Sequence, residues 1–208
     1  MLAAVLAALV VLTGAGSAGG PRHDGVRALF FGDSLFAGVG AEPRRPVQVQ
    51  TVTDRLGWQG VVDARGGTGY TTGGSHGRPY LDRLRRDGYL SQRYDVIVLE
   101  GGTNDAHHGS LTRLRAAALR TVDYVHHRQP GARLVLVGAY APAGAPLSRY
   151  QQADAVLAGV ARDRGLLYVS QLPFSEVTDR GFLSKDHYHP SDAGYGVMGR
   201  ALAAALRG

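Results

Sequence analysis

Short apolar runs and longer amphipathic segments alternate along the chain from residue 26 onward. Apolar runs bounded by glycine or polar residues are typical of buried strands, and apolar residues recurring every three or four positions are typical of helices. The predicted strands are 26–31, 61–63, 94–99, 134–137 and 166–169. The predicted helices are 47–57 (a segment that also fits a short strand), 79–90, 111–128, 148–164 and 191–207. This alternation predicts a parallel sheet covered by helices on both faces.

The first 25 residues differ in composition from the rest of the chain. Residues 2–12 are an unbroken run of Leu, Ala and Val that is short for a membrane span, and Gly16-Ser17-Ala18 resembles a signal-peptidase site. No Lys or Arg precedes the run, so an N-terminal membrane anchor is the alternative. We therefore expect a signal peptide over 1–18, a linker over 19–25 and a single domain over 26–208. The protein is then secreted or in the cell envelope, without stable membrane association once the leader is removed.

Composition and charge exclude several classes of protein. With 44% hydrophobic and 19% charged residues, the 208-residue chain has the composition of a folded domain rather than a disordered one. The net charge is +6, but the basic residues do not interleave with aromatic ones, so we expect no nucleic-acid partner. The arginines of Arg83-Leu84-Arg85-Arg86 are expected on the solvent-facing side of their helix. The absence of cysteine excludes disulfides, thiolate metal sites and a cysteine nucleophile.

A serine stands at the carboxyl end of the first predicted strand. Residues 29–35 read Leu-Phe-Phe-Gly-Asp-Ser-Leu, so an apolar run leads directly into Gly32, Asp33 and Ser34. Open α/β sheets bind ligands at the carboxyl ends of their strands, which makes Ser34 a candidate nucleophile. Helix capping by Asp33 and Ser34 is the alternative interpretation of so short a motif.

A candidate base lies immediately before the last predicted helix. A serine nucleophile needs a base, and that base needs a group to orient it. In Asp186-His187-Tyr188-His189-Pro190, the carboxylate of Asp186 lies one turn before His189 and can hold one ring nitrogen. A surface histidine beside a turn-capping acid is the alternative. Among the other histidines, His107 and His108 are expected to face solvent near the site.

Acyl transfer also requires hydrogen-bond donors for the oxyanion that develops on the substrate. The Ser34 N–H, the Asn104 side-chain amide and the Gly69 N–H are the candidates. Gly69 belongs to a loop over 64–77 that is rich in glycine and threonine. That loop lacks the lysine of a P-loop and the glycine spacing of a dinucleotide-binding turn.

Four blocks of the sequence together resemble the SGNH (GDSL) hydrolase family. The blocks are Gly32-Asp33-Ser34-Leu35, the loop 66–71, Gly102-Thr103-Asn104-Asp105 and Asp186-x-x-His189-Pro190. The resemblance implies a flavodoxin-like three-layer α/β/α sandwich with a central parallel sheet, and ester hydrolysis without a metal or cofactor. It implies that Ser34 is the nucleophile, Asp186 and His189 its acid and base, and Gly69 and Asn104 oxyanion donors with the Ser34 N–H. Asp33 and Asp105 are expected to fix the loops around the site.

One block departs from the family pattern. Family members often have Ser-Gly-Asp where this chain has Thr68-Gly69-Tyr70. The glycine is kept, but Gly66 or Gly67 is an alternative source of the N–H.

The sequence therefore predicts a serine esterase that hydrolyses carboxylic acyl esters, short-chain or carbohydrate-borne, through an acyl-enzyme on Ser34. Two alternatives remain open at this point. One is an acyltransferase or thioesterase that uses the same triad, and the other is a binding protein that keeps the fold without the chemistry.

Overall fold

The apolar runs form one parallel sheet. The computed structural model describes residues 25–175 and 181–207, so the predicted signal peptide lies outside the described residues. The strands are β1 (Arg27–Gly32), β2 (Gln59–Ala64), β3 (Val96–Glu100), β4 (Arg133–Val137) and β5 (Leu167–Val169). Their order is β2-β1-β3-β4-β5, and every neighbouring pair is parallel. The predicted α/β class with a central parallel sheet is confirmed.

The helices lie close to their predicted positions. They are α1 (Val47–Leu56), α2 (Tyr80–Arg86), α3 (Thr103–His107), α4 (Leu111–Arg128), α5 (Leu147–Asp163) and α6 (Asp192–Arg207). The periodicity of α4 predicted both of its ends. The helix predicted over 79–90 is shorter, because Gly88 takes a positive φ of 74° and the chain continues as a single 3-10 turn over Tyr89–Ser91. The helix α3 was not predicted.

The strand residues alternate between two hydrophobic layers. In β3, Val96 and Val98 pack on the side covered by α1 and α6, whereas Ile97 and Leu99 pack on the side covered by α2, α4 and α5. Full burial of one such side chain stabilises the fold by about 1.5–3 kcal/mol. The two apolar faces therefore fix the sheet and with it the positions of the strand ends.

The strand order creates a crevice at one edge of the sheet. The chain leaves β1 towards β2 on one side, and it leaves β3 towards β4 on the other. The connections after β1 and β3 therefore diverge, and such switch points are where open α/β sheets bind ligands. Ser34 follows β1 and Asn104 follows β3, so both lie at this crevice.

Candidate active site

Ser34 lies in a tight turn directly after β1. The carbonyl of Asp33 accepts a hydrogen bond from the Ala37 N–H at 3.1 Å, which folds the chain back as soon as the strand ends. A Cβ atom at Gly32 would lie 2.5 Å from Glu100 Oε2 and 3.1 Å from a ring carbon of Phe36, so a larger residue there would displace these buried side chains. The turn holds Ser34 at the floor of the crevice with 6% of its surface exposed.

The last loop brings a histidine and a carboxylate to this serine. His189 Nε2 lies 3.0 Å from Ser34 Oγ, and His189 Nδ1 lies 2.7 Å from Asp186 Oδ2. Ser34 and His189 are 155 residues apart in the sequence, so only the fold makes them neighbours. With Nδ1 protonated towards the carboxylate, Nε2 is free to accept the hydroxyl proton of the serine.

The Asp186 carboxylate is surrounded by donors. Its Oδ1 accepts the N–H groups of Tyr188 and His189, both at 2.8 Å, and the hydroxyl of Ser184 at 2.7 Å. Partial burial by itself raises the pKa of Asp186, but hydrogen bonds from His189, Ser184 and Tyr188 outweigh it and hold that pKa well below its usual value. Asp186 therefore stays ionised beside the histidine ring.

Asp105 holds the glycine-rich loop. Its carboxylate accepts the Tyr70 N–H at 3.0 Å, the Thr71 N–H at 2.7 Å and the Thr71 hydroxyl at 2.6 Å. Burial raises the pKa of Asp105, and these hydrogen bonds offset part of the rise. A Cβ atom at Gly69 would lie 2.5 Å from Asp105 Oδ2, so the loop passes directly over the carboxylate.

The predicted role of Gly69 does not agree with the path of this loop. The Gly69 N–H donates to the Thr72 carbonyl at 2.8 Å, and the residue faces Asp105 rather than the serine. Gly66 is the glycine beside Ser34, since a Cβ atom there would lie 3.7 Å from Ser34 Cβ. Among the described residues, the N–H groups of Ser34, Gly66 and Gly67 have no hydrogen-bond partner. The alternative that the sequence left open therefore fits the geometry better.

Asn104 links the turn after β1 to the glycine-rich loop. Its Nδ2 donates to Asp33 Oδ2 at 2.9 Å and to the Thr68 carbonyl at 3.0 Å. Both amide hydrogens thus have acceptors in this structure, and the side chain is 7% exposed at the crevice.

Two buried carboxyl groups lie beneath the serine, and the sequence analysis assigned a role to only one of them. Asp33 was expected to fix its loop, and its Oδ1 accepts the Leu35 N–H at 2.9 Å. Burial raises the pKa of Asp33 to about 6, although hydrogen bonds from Leu35, Glu100 and Asn104 counteract this. Glu100, the last residue of β3, accepts the Asp33 N–H at 3.0 Å. Sequence reasoning assigned Glu100 no role; an acid ending a fully buried strand was the only signal.

Arg83 corrects an expectation about surface charge. It was predicted on the solvent-facing side of its helix, yet its side chain is fully buried. It packs against the Phe31 ring, with 4.3 Å between the guanidinium carbon and the ring centroid. Its guanidinium donates to Asp63 Oδ1 at 2.7 Å, to the Thr68 hydroxyl at 2.8 Å and to the Gly32 carbonyl at 3.0 Å. Arg83 therefore ties together the ends of β1 and β2 and the glycine-rich loop.

An aromatic rim borders His189. The Tyr188 ring lies 4.9 Å from the His189 ring and 6.1 Å from the His107 ring, measured between centroids. His107 and His108 are exposed, as expected, and His107 Nδ1 lies 3.0 Å from the buried Tyr150 hydroxyl. Within 25–175 and 181–207, no group of three or more His, Asp or Glu could hold a metal ion.

Comparison with known protein families decides the class of this site. Residues 30–197 match the GDSL-like lipase/acylhydrolase family. The chain belongs to this family. The match spans all four blocks that carry the resemblance, from Gly32 to Pro190, and the family consists of ester-hydrolysing enzymes.

Solved structures agree with this family on the fold. An active-site mutant of a family two carbohydrate esterase from Clostridium thermocellum is similar with a TM-score of 0.73 and 17% identity, over 90% of this chain. The chain spans only 64% of the length of that esterase. A lipase/acylhydrolase from Enterococcus faecalis is similar with a TM-score of 0.71 and 20% identity, over 88% of this chain and 95% of its own.

A third similar structure is the lipase Lip_vut3 from a goat rumen metagenome, with a TM-score of 0.66 and 20% identity over 86% of this chain and 97% of its own. No curated protein sequence matches the chain significantly. Among the described residues, none of the helices has the length and apolar character needed to cross a membrane.

Proposed function

We propose that the protein is a serine esterase that hydrolyses carboxylic acyl esters through an acyl-enzyme on Ser34. The observation that carries the proposal is the continuous hydrogen-bonded series from Ser34 Oγ to His189 (3.0 Å) and from His189 to Asp186 (2.7 Å). Nucleophile, base and orienting acid within hydrogen-bond reach form the arrangement that activates a serine.

The reaction proceeds in two halves. His189 Nε2 takes the hydroxyl proton of Ser34 as Oγ attacks the ester carbonyl, and the tetrahedral intermediate collapses when His189 returns that proton to the leaving alcohol. Water then gives a proton to His189 and attacks the acyl-enzyme. The second intermediate collapses as His189 returns that proton to Ser34 Oγ, which releases the acid and restores the serine. Throughout, ionised Asp186 accepts a hydrogen bond from the Nδ1–H group of His189 and stabilises the imidazolium.

The oxyanion is bound by N–H groups that lie around the serine. We assign the Ser34 N–H and the Gly66 N–H to this role, because both lack partners among the described residues and both lie at the nucleophile. Asn104 is the third donor. The hydrogen it gives to the Thr68 carbonyl is shared with the oxyanion as charge develops, because an anion is a stronger acceptor than a peptide carbonyl.

The substrate we propose is a short acyl ester carried on a carbohydrate. The family two carbohydrate esterase of similar fold was solved in complex with cellohexaose. In this chain, the Tyr188 ring packs beside the His189 ring and the His107 ring packs beside Tyr188, so both offer flat surfaces on which a sugar ring can pack. We also propose export by the leader over 1–18, which gives the enzyme access to polysaccharide outside the cytoplasm.

The proposal is tested with the full chain and its Ser34→Ala variant on p-nitrophenyl esters from acetyl to palmitoyl and on acetylated oligosaccharides. We expect hydrolysis of the acetyl esters by the wild type and none by the variant. Folded wild-type protein that cleaves no ester would contradict an esterase. Transfer of the acyl group to an added sugar faster than release of the free acid would indicate an acyltransferase instead.

A further inference from the structure

Glu100 is buried where no surrounding charge compensates it. It ends β3 with no exposed surface, and its Oε2 accepts the N–H of Asp33 at 3.0 Å, one residue before the nucleophile. Its Oε1 is buried and receives no hydrogen bond from an N–H or hydroxyl group of the described residues, whereas the side chains of Glu100 and Asp33 are within hydrogen-bond reach of each other. No Lys, Arg or His of the described chain forms an ion pair with it.

The neighbour of Glu100 is a second buried carboxyl group, that of Asp33. Two ionised carboxylates side by side in a buried site repel each other and lack the hydration that stabilises them, so one keeps its proton. Asp33 accepts N–H groups from Leu35 and Asn104, which stabilise its ionised form. Within the described part of the chain Glu100 accepts only one, and burial followed by the charge of Asp33 raises the pKa of Glu100 well above its usual value. Glu100 is therefore the neutral member of the pair.

We propose that Glu100 is a positioning residue of this esterase. As a neutral carboxylic acid, Glu100 accepts the backbone N–H of Asp33 and donates its own O–H to the Asp33 carboxylate. Asp33 Oδ2 in turn holds one hydrogen of the Asn104 amide at 2.9 Å. Because the amide is planar, fixing one hydrogen fixes the direction of the other, which is the one assigned to the oxyanion. Glu100 touches no reacting atom and acts through Asp33. This inference rests on the esterase function proposed above.

The kinetic test compares two variants of nearly equal size in the full chain. Glu100→Gln keeps one acceptor for the Asp33 N–H and one donor for the Asp33 carboxylate, whereas Glu100→Met fills the space without either. On p-nitrophenyl acetate we expect kcat of Glu100→Gln within about threefold of wild type. We expect kcat of Glu100→Met to fall about tenfold to a hundredfold with KM little changed, somewhat less than removal of a direct oxyanion donor. Asp154→Asn alters another buried carboxyl, bonded to Tyr168 and Ser170, and should leave kcat within threefold.

The outcomes separate this proposal from the esterase function. If Ser34→Ala is inactive while Glu100→Met keeps its kcat, the esterase stands and the positioning role is wrong. If Glu100→Gln loses as much kcat as Glu100→Met, a charged glutamate is needed and the neutral acid is wrong.

A measurement without substrate tests the same point. The infrared spectrum of the wild type at neutral pH should contain the C=O band of a protonated carboxylic acid that Glu100→Gln lacks. Identical spectra in this region would overturn the proposal, even in a protein that hydrolyses no ester or in which Glu100→Met does not fold.

Discussion

The carboxyl groups around Ser34 lie in two opposite environments. Asp33, Glu100 and Asp105 are completely buried beneath the serine, and burial raises the pKa of each. Asp186 lies at the outer edge with 43% of its side chain exposed, and its pKa is lowered. The same functional group therefore serves two purposes. The buried carboxyls hold backbone and amide groups in place, and the outer one stays charged beside the His189 ring, as the proposed mechanism requires.

Exposure separates Asp186 from Asp105, which accepts three hydrogen bonds and still has a raised pKa because it is buried. The number of donors adds to the difference between Asp186 and Glu100. Asp186 receives hydrogen bonds from two backbone N–H groups, one hydroxyl and the histidine ring. Glu100 receives one from the residues that the structure describes. A comparison of variants in the two regions should therefore separate loss of chemistry at the outer edge from loss of stability or alignment beneath the serine.

The largest effect is expected when the outer region loses its base. His189→Ala should lower kcat on p-nitrophenyl acetate by about 10⁵-fold or more, as Ser34→Ala should, because the nucleophile and its base act as a unit. Circular dichroism should show an intact fold, since His189 is partly exposed. His127→Ala, an exposed histidine late in α4, is the matched control and should keep full activity. Residual activity near the wild-type level in His189→Ala would mean that another group is the base.

A smaller loss of activity is expected from Asp186→Asn. The amide oxygen can still accept the backbone N–H groups of Tyr188 and His189, but it cannot stabilise the imidazolium, so kcat should fall by about 10⁴-fold. The free energy of unfolding should change little because the carboxylate is partly exposed. Asp123→Asn, which alters a carboxylate bonded to Arg164, serves as the control. Equal losses of activity in these two variants would argue against a special role for Asp186.

Beneath the serine, the corresponding expectation is a loss of stability. Arg83→Met leaves Asp63 buried without its closest cation, and it removes the hydrogen bonds that Arg83 donates to the Thr68 hydroxyl and the Gly32 carbonyl. The free energy of unfolding, measured in urea, should therefore fall by about 3–5 kcal/mol. Arg86→Met, on the exposed side of the same helix, should change it by less than about 0.5 kcal/mol. Similar values for the two variants would place Arg83 at the surface, as the sequence suggested.

The last comparison is between wild type and Glu100→Gln, and their difference should change gradually with pH. Glu100 keeps its proton in the folded protein, while in the unfolded chain it ionises near its ordinary pKa of 4.5. The carboxyl group therefore favours folding fully below that pH, and this advantage is lost as pH rises towards the folded-state pKa. Glutamine does not titrate, so the free energy of unfolding of the wild type should fall relative to Glu100→Gln by up to about 1.4 kcal/mol per pH unit above 4.5. Urea titrations from pH 4 to 8 measure the difference; a gap that is constant with pH, or widens in favour of wild type, would contradict a neutral Glu100.

Local patterns in the sequence were sufficient to predict most of the strands and helices and the blocks that contain the candidate site residues. The strand and helix periodicities predicted the elements, and Ser34, Asp186 and His189 each follow or precede an element in a recognisable block. The prediction that Arg83 faces solvent was wrong because a helix pattern shows which residues share a face. It does not show which polar group of another element packs against that face. Its partner Asp63 is on β2, and only the packed sheet brings the two together.

The paths of the loops were the second feature that the sequence did not predict. The sequence showed several glycines in one loop but not the path of that loop. The path depends on the hydrogen bond from the Gly69 N–H to the Thr72 carbonyl and on the hydrogen bonds from Tyr70 and Thr71 to the Asp105 carboxylate. Those contacts turn Gly69 away from the serine and leave Gly66 beside it. Glu100 was overlooked for a similar reason, since its function depends on Asp33, which is 67 residues away in the sequence.

The central claim is a covalent acyl-enzyme on Ser34, and the most direct test is to trap it. The full chain is mixed with p-nitrophenyl acetate, quenched in acid within the first turnover and examined by mass spectrometry. The account predicts one acetyl group per molecule, located on the peptide that contains Ser34 and absent from Ser34→Ala. Rapid ester hydrolysis by Ser34→Ala, or an acetyl group that forms on another residue at the rate of turnover, would contradict it.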